Sequence, residues 1–211
     1  MRLFLASQDF GRHVDRLVEL VGKNNKALVV FNARDYETPE ARAEVVTRKE
    51  ELFKKASFEF NELDLREYFG EPAKLRKFIN KFKPGVVSLI GGNSFLLRRA
   101  LYQSGLDEIL KADIYDNKYV YAGHSAGAIV AEPNLACYET GDEYVVPLSY
   151  NKGIVWGGLG FVQERTVPHC DSSNPRALSR QKTFRELDLP YITLSDSDVY
   201  VVDGLKKEVL R

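Results

Sequence analysis

Short apolar runs alternate with stretches of helical periodicity through the first 130 residues, and this alternation restricts the chain to few folds. The runs at 3–6, 27–31, 86–90 and 119–122 have the length and composition of strands that are covered on both faces. The connections between them are long enough to hold a helix, as parallel strands require. The pattern predicts a three-layer α/β fold, with a doubly wound, mostly parallel sheet between two layers of helices.

The connecting segments carry the helix signals. Apolar spacing, prolines at first turns and terminal glycines predict helices at 14–21, 39–56, 72–82, 95–102 and 106–115, and a weaker strand at 58–65. Farther along, the sequence predicts irregular strands or a hairpin over 133–149 and a helix over 176–187. Short strands are predicted at 191–194, at 199–202 and after Gly204, and the fold is expected to include a small C-terminal antiparallel extension, within one domain spanning 1–211.

Charge and cysteine content argue against several classes of protein. Thirty basic residues balance thirty acidic ones, so no net field favours nucleic acid or an anionic membrane. The first residues lack the long apolar run of a signal or membrane segment. Two cysteines and three scattered histidines, in no metal-type spacing, predict neither a disulfide framework nor a metal site. We expect a cytoplasmic protein without cofactor, metal, nucleic-acid or membrane partner, acting as a monomer or homodimer.

The pentapeptide Gly123-His124-Ser125-Ala126-Gly127 directly follows the run at 119–122 and precedes small, helix-compatible residues. Strand, sharp turn and helix start, with serine at the turn, form the G-x-S-x-G pattern of a nucleophile elbow. A helix N-terminus behind the serine offers free N–H groups to an oxyanion. The alternative is a glycine-rich turn whose serine only caps a helix.

A nucleophilic serine needs a base and an acid that orients the base. His169 ends an apolar segment at a loop, where catalytic groups are often presented. His124 competes, but adjacent residues on an elbow project differently, so we interpret His124 as lining the pocket. The residues alone leave three candidates for the orienting acid: Asp142, Asp196 and Asp198.

Gly91-Gly92 follows the strand before the elbow and brings further backbone N–H groups to a neighbouring strand end. With the N–H of Ala126 they are suited to an oxyanion hole. No Lys-Ser/Thr pair follows the glycines, which argues against a P-loop, and the chain lacks GxGxxG, which argues against a dinucleotide site.

Four segments together resemble one family over most of the chain: 90–97 (IGGNSFLL), 122–128 (AGHSAGA), 158–160 (GLG) and 167–169 (VPH). In this order and spacing they are similar to the peptidase E (α-aspartyl dipeptidase) family. The resemblance implies a class I glutamine amidotransferase-like fold with serine in place of the cysteine nucleophile.

The same resemblance implies a serine exopeptidase that removes an N-terminal aspartate from small peptides, chiefly Asp-X dipeptides. Arg180, near the start of the helix after the histidine, is the implied partner of the substrate's aspartate side chain, and a surface arginine is the alternative. His124 and Asn93 are expected at the substrate site. The implied catalytic residues are Ser125 (nucleophile), His169 (base) and Asp196, with Asp142 as the alternative acid and Gly92 and Ala126 as oxyanion donors.

Two other functions fit the same residues. One is a serine peptidase of different preference, such as a cyanophycinase-like enzyme acting on aspartyl-arginine polymer. The other is a non-catalytic amidotransferase-like domain that binds a small ligand. An ordinary α/β-hydrolase is disfavoured because the chain is short and that fold has no G-G-N motif before its serine.

Overall fold

The computed structural model of the chain describes residues 1–171 and 173–211; Ser172, in the polar loop predicted at 171–175, lies outside the described residues. The strands are β1 (Arg2–Ala6), β2 (Lys26–Val30), β3 (Glu59–Leu63), β4 (Val86–Leu89), β5 (Val120–His124), β6 (Arg165–Val167), β7 (Tyr191–Thr193), β8 (Val199–Asp203) and β9 (Lys206–Leu210). Seven of them form one sheet in the order β3-β2-β4-β5-β1-β8-β9, and β6 pairs with β7 separately.

The sheet is parallel from β3 to β1, and β8 and β9 extend it in antiparallel pairing. The helices are α1 (Val14–Val21), α2 (Pro39–Lys55), α3 (Pro72–Phe82), α4 (Ser94–Ser104), α5 (Leu106–Tyr115), α6 (Ala126–Ile129) and α7 (Pro175–Glu186). This architecture confirms the predicted three-layer α/β fold and its antiparallel extension, and the elements lie within a few residues of the predicted bounds.

Alternate side chains of the strands enter two cores on opposite faces of the sheet. One face of β1 contributes Leu3 and Leu5, which pack with residues of α3, α4, α5 and α6. The other face contributes Phe4 and Ala6, which pack with residues of α1 and α2. Because successive strand residues point to opposite faces, a run that is apolar at every position is covered on both sides.

The segment 133–149 differs from the prediction of irregular strands or a hairpin. Its described backbone contains a 3₁₀ turn at Asp142–Tyr144, and its β pairing is a single bridge from Asn134 to Gly157. Two side chains of α4 satisfy carbonyl groups of this turn: Asn93, the N-cap, donates to the Asp142 carbonyl at 2.7 Å, and Arg99 donates to the Glu143 carbonyl at 2.6 Å. Long-range side-chain bonds therefore replace a ladder here.

Within the described ranges, no helix has the length and apolar character needed to cross a membrane. The same part of the chain holds no group of three or more His, Cys, Asp or Glu side chains placed to bind a metal ion.

Candidate active site

Ser125 stands between β5 and α6 in a strained conformation, with φ 49° and ψ −110°. Positive φ is costly for a non-glycine residue, and such strain persists where the surrounding structure enforces it. The flanking glycines allow the turn to pack this closely. A Cβ at Gly123 would overlap the carbonyl of Gly127, and one at Gly127 would overlap the carbonyl of Leu89. The turn therefore passes tightly against the sheet and presents the serine at its carboxyl edge.

Ser125, His169 and Asp196 form a continuous hydrogen-bonded chain. Nε2 of His169 lies 3.1 Å from Oγ of Ser125, and Nδ1 lies 2.6 Å from Oδ1 of Asp196. His169 follows β6, and Asp196 follows β7, the parallel partner of β6. Both side chains therefore leave the same end of the small sheet. With Nδ1 protonated toward the carboxylate, Nε2 is free to accept the serine proton.

Asp142 does not occupy this position. Its carboxylate lies 3.5 Å from Arg176 Nη1, and the acid in contact with His169 is Asp196. Asp198 is also elsewhere, since its carboxylate caps the backbone N–H of Ser195. Of the three acids left open by the sequence, the structure brings one to the histidine.

Ser7 is a residue of this site that the sequence did not single out. Its buried hydroxyl accepts the backbone N–H of His169 at 2.6 Å and donates to Oδ1 of Asp196 at 3.1 Å. It follows β1, whose pairing with β5 and β8 places the end of β1 beside both the elbow and the Asp196 loop. The available signal was a polar residue directly after a buried strand.

Two backbone N–H groups next to Ser125 are free to bind an oxyanion. Within the described residues, neither the N–H of Gly92 nor that of Ala126 meets an acceptor. Gly92 has φ 150°, and a Cβ there would overlap the carbonyl of Ala33, so the loop requires glycine at this position. Gly91 is different, because its N–H donates to Nε2 of His124 at 3.0 Å.

His124 therefore fastens the glycine loop to the elbow. Burial lowers its pKa well below the ordinary value, and the positive charges of Lys49 and Arg34 lower it further. The ring stays neutral, so that Nε2 accepts the Gly91 N–H. It also lines a cavity of about 400 Å³ beside Ser125, on the side of α2; the sequence predicted a pocket position for this residue.

A different cavity, of about 280 Å³, opens beside Ser125 and His169 on the side of α7. Arg180 lies in its wall, with its guanidinium 4.8 Å from the centre of the Tyr138 ring. Among the described residues, no carboxylate pairs with this guanidinium within 4 Å, and burial lowers its pKa. The cavity thus contains a half-buried cation that has no counter-ion among the described residues.

Hydrogen bonds of its hydroxyl fix the position of the Tyr138 ring. Its hydroxyl lies 2.8 Å from Oε1 of Glu132 and 2.7 Å from the Thr166 carbonyl, and Glu132 is fully buried. Burial raises the pKa of Glu132 to about 7, although the N–H and hydroxyl of Thr166 oppose this. This buried network gives Arg180 a fixed surface to stack on.

Asn93 is not among the described residues that line either cavity beside Ser125. Its Oδ1 caps α4 by accepting the N–H of Leu96 at 2.9 Å, and its Nδ2 donates to the Asp142 carbonyl. Both ends of the buried amide are thus engaged by the protein. These contacts give Asn93 a structural task and do not support the predicted contact with substrate.

Comparisons with known proteins indicate one family. A family model described as peptidase family S51 matches residues 4–210. An uncharacterized peptidase of Listeria monocytogenes is 33% identical over 114 residues, which cover 53% of this chain and 51% of that protein. An uncharacterized peptidase of Pasteurella multocida is 27% identical over 135 residues, 64% of this chain and 61% of that one. The chain spans about half the length of the curated relatives it matches.

Solved structures share the fold. A Listeria monocytogenes protein provisionally assigned as peptidase E has a TM-score of 0.74 at 24% identity, covering 100% of this chain and 98% of that one. A peptidase from an acI-B1 Actinobacterium has a TM-score of 0.60 at 18% identity, covering 99% and 93%. At these identities the structures support the fold, and the family model, which spans nearly the whole chain, supports the membership. The family resemblance seen in the motifs is thereby confirmed: the chain belongs to peptidase family S51.

Proposed function

We propose that this S51 peptidase is a serine exopeptidase that hydrolyses Asp-X dipeptides through an acyl-enzyme on Ser125. The hydrogen-bonded chain from Ser125 through His169 to Asp196 supports this most strongly. A strained elbow serine, a base in contact with it and a base-orienting acid are the parts that acyl transfer requires.

In the proposed reaction, His169 removes the proton from Ser125 as Oγ attacks the scissile carbonyl. The N–H groups of Gly92 and Ala126 stabilise the oxyanion: neither meets an acceptor within the described residues, Gly92 shares a cavity wall with Ser125, and Ala126 follows Ser125 directly. The C–N bond then breaks, His169 gives its proton to the leaving amine, and the aspartyl group remains on Ser125. Water, deprotonated by His169, hydrolyses the ester and restores the free enzyme.

Arg180 supplies the proposed preference for aspartate. Its guanidinium lies in the cavity beside Ser125 and has no carboxylate partner within 4 Å in the described chain. A substrate carboxylate would compensate this charge and accept two parallel N–H bonds. Stacking on Tyr138 limits the motion of the guanidinium, so less entropy is lost when a carboxylate binds.

The test compares Asp-Leu with Asn-Leu, which has nearly the same shape but no charge on the side chain. We expect rapid hydrolysis of Asp-Leu, slow hydrolysis of Asn-Leu, and loss of both activities in Ser125→Ala. Ser149→Ala is the matched control, since it removes an exposed serine hydroxyl that lies outside both cavities beside Ser125. Hydrolysis of Asp-Leu that survives Ser125→Ala would contradict the proposal.

Two further experiments distinguish the two alternatives. Release of aspartyl-arginine dipeptides from cyanophycin, without hydrolysis of Asp-Leu, would assign a cyanophycinase-like activity. Failure of a fluorophosphonate to label Ser125 would favour a ligand-binding domain without catalysis.

A further inference from the structure

A second cavity adjoins Ser125 on the side opposite Arg180, and we propose that it binds the free α-carboxylate of the leaving residue, X in Asp-X. The cavity measures about 400 Å³. This inference rests on the proposed function and extends it, because it explains why the substrate would be a dipeptide.

The positions of the two cavities assign one to each half of the substrate. They share Arg34, Gly92, Ser125 and His169 in their walls, so they meet at the reacting atoms. If the aspartyl side chain points toward Arg180, the leaving residue must lie on the other side of Ser125. That side is the second cavity.

The second cavity is lined by three cations, of which two are already paired. The ammonium of Lys49, a buried residue of α2, contacts the carboxylate of Asp9. Arg34 lies 2.5 Å from Glu37 and donates from Nε to the Gly91 carbonyl at 3.0 Å. Within the described residues, Arg48 has no carboxylate within 4 Å, so the cavity carries one uncompensated positive charge.

The field of these cations reaches the floor of the cavity. Besides burial, the charges of Lys49, Arg34 and Arg48 all lower the pKa of His124. One uncompensated positive charge matches the single negative charge of a terminal carboxylate. An internal peptide bond in the same place would present a neutral amide and leave Arg48 unpaired.

Covalent geometry requires an anion site close to the nucleophile. In a dipeptide, only one Cα separates the scissile nitrogen from the terminal carboxyl carbon, a span of about 2.5 Å. The carboxylate therefore remains within a few ångströms of His169 while that residue protonates the leaving amine. A cationic wall that adjoins Ser125 and His169 meets this requirement.

The test uses Asp-Leu and its C-terminal amide, Asp-Leu-NH₂, which differ in the charge of one group. We expect kcat/KM for the acid to exceed that for the amide by about tenfold, the value typical of one hydrogen-bonded charge. Arg48→Gln should lower this acid-to-amide ratio to near one, and Lys49→Gln should lower it as well. Lys55→Gln, also on α2 but exposed and outside both cavities, removes the same charge and should leave the ratio unchanged.

Two results would overturn the inference. The first is an acid-to-amide ratio near one in the unaltered protein. The second is a ratio that neither Arg48→Gln nor Lys49→Gln changes. Hydrolysis of the amide separates this failure from failure of the proposed function: if Asp-Leu-NH₂ is cleaved without preference for the acid, the aspartyl peptidase stands and the carboxylate site does not. If neither substrate is cleaved, both proposals fall.

Discussion

Nδ1 of His169 lies 2.6 Å from Oδ1 of Asp196, while Asp142 pairs with Arg176 on another side of the cavity. An orienting carboxylate keeps the histidine proton on Nδ1 and stabilises the imidazolium that forms. In Asp196→Asn, the side-chain amide can donate to Nδ1 of His169. This favours the tautomer with the proton on Nε2, and a protonated Nε2 cannot accept the proton of the Ser125 hydroxyl. We expect kcat for Asp-Leu to fall by about ten-thousandfold.

Asp142→Asn is the matched control for that substitution. It removes the other carboxylate once considered for the site, and we expect kcat to change by less than about threefold, since an exposed ion pair contributes little. Steady-state kinetics of both variants measures the difference. Equal losses in the two variants would contradict the assignment of Asp196.

Ser7 joins the backbone of His169 to the carboxylate of Asp196, so its hydroxyl positions two members of the site at once. We expect Ser7→Ala to lower kcat by roughly tenfold with little change in KM, because small misalignment of reacting groups is costly while substrate contacts remain. The readout is the split between kcat and KM. Ser195→Ala, which removes a hydroxyl that contacts Ser197 in the same loop as Asp196, should leave both nearly unchanged. A rise in KM at constant kcat would contradict the positioning role.

The sequence predicted the parallel half of the fold well because a strand that is covered on both faces appears in the sequence as a short, continuous apolar run. Runs such as 3–6 and 27–31 are apolar at every position, and the glycines after β4 and β5 mark the strand ends where the site lies. Because both loops follow strands of a predicted parallel sheet, the sequence was sufficient to predict that the Gly91-Gly92 loop and Ser125 lie at the same edge of the sheet. These features are local, so residue pattern was sufficient.

Features that depend on tertiary contact could not be predicted in the same way. The choice between Asp142 and Asp196 depends on the pairing of β6 with β7, two three-residue strands separated by a helix. Asn93 looked like a ligand-binding residue of the motif, but its amide caps a helix and anchors a distant loop. That loop, 133–149, has the composition of strands, yet its carbonyls at Asp142 and Glu143 accept from the side chains of Asn93 and Arg99.

Arg180 provides a test of specificity. Arg180→Gln removes the unpaired cation but retains a polar side chain, and we expect kcat/KM for Asp-Leu to fall by about a hundredfold, the loss typical of a buried bidentate carboxylate contact. Hydrolysis of Asn-Leu should change far less, so preference for aspartate should nearly vanish. Arg185→Gln, on the exposed side of α7, is the matched control. Preference retained in Arg180→Gln would assign aspartate recognition to another residue.

His124 links the site to the stability of the fold through its depressed pKa. In the unfolded chain the imidazole titrates near its ordinary pKa of 6.5, whereas in the folded chain it stays neutral at far lower pH. Below pH 6.5 the unfolded state therefore binds a proton that the folded state does not, and the free energy of unfolding falls by up to about 1.4 kcal/mol per pH unit. Above pH 6.5 the imidazole is neutral in both states, so the folded protein keeps the full stability that it loses at lower pH.

Glu132 acts in the opposite direction, since its raised pKa of about 7 weakens the fold as the pH rises from 4.5 toward 7. The two effects are separated by comparing the unaltered protein with His124→Gln, whose amide oxygen can still accept the Gly91 N–H. Urea unfolding between about pH 5 and pH 8 should show an advantage of histidine over glutamine that declines steadily below pH 6.5. A difference that stays constant across this range would show that His124 titrates alike in both states, and would remove the reason for assigning it a permanently neutral ring.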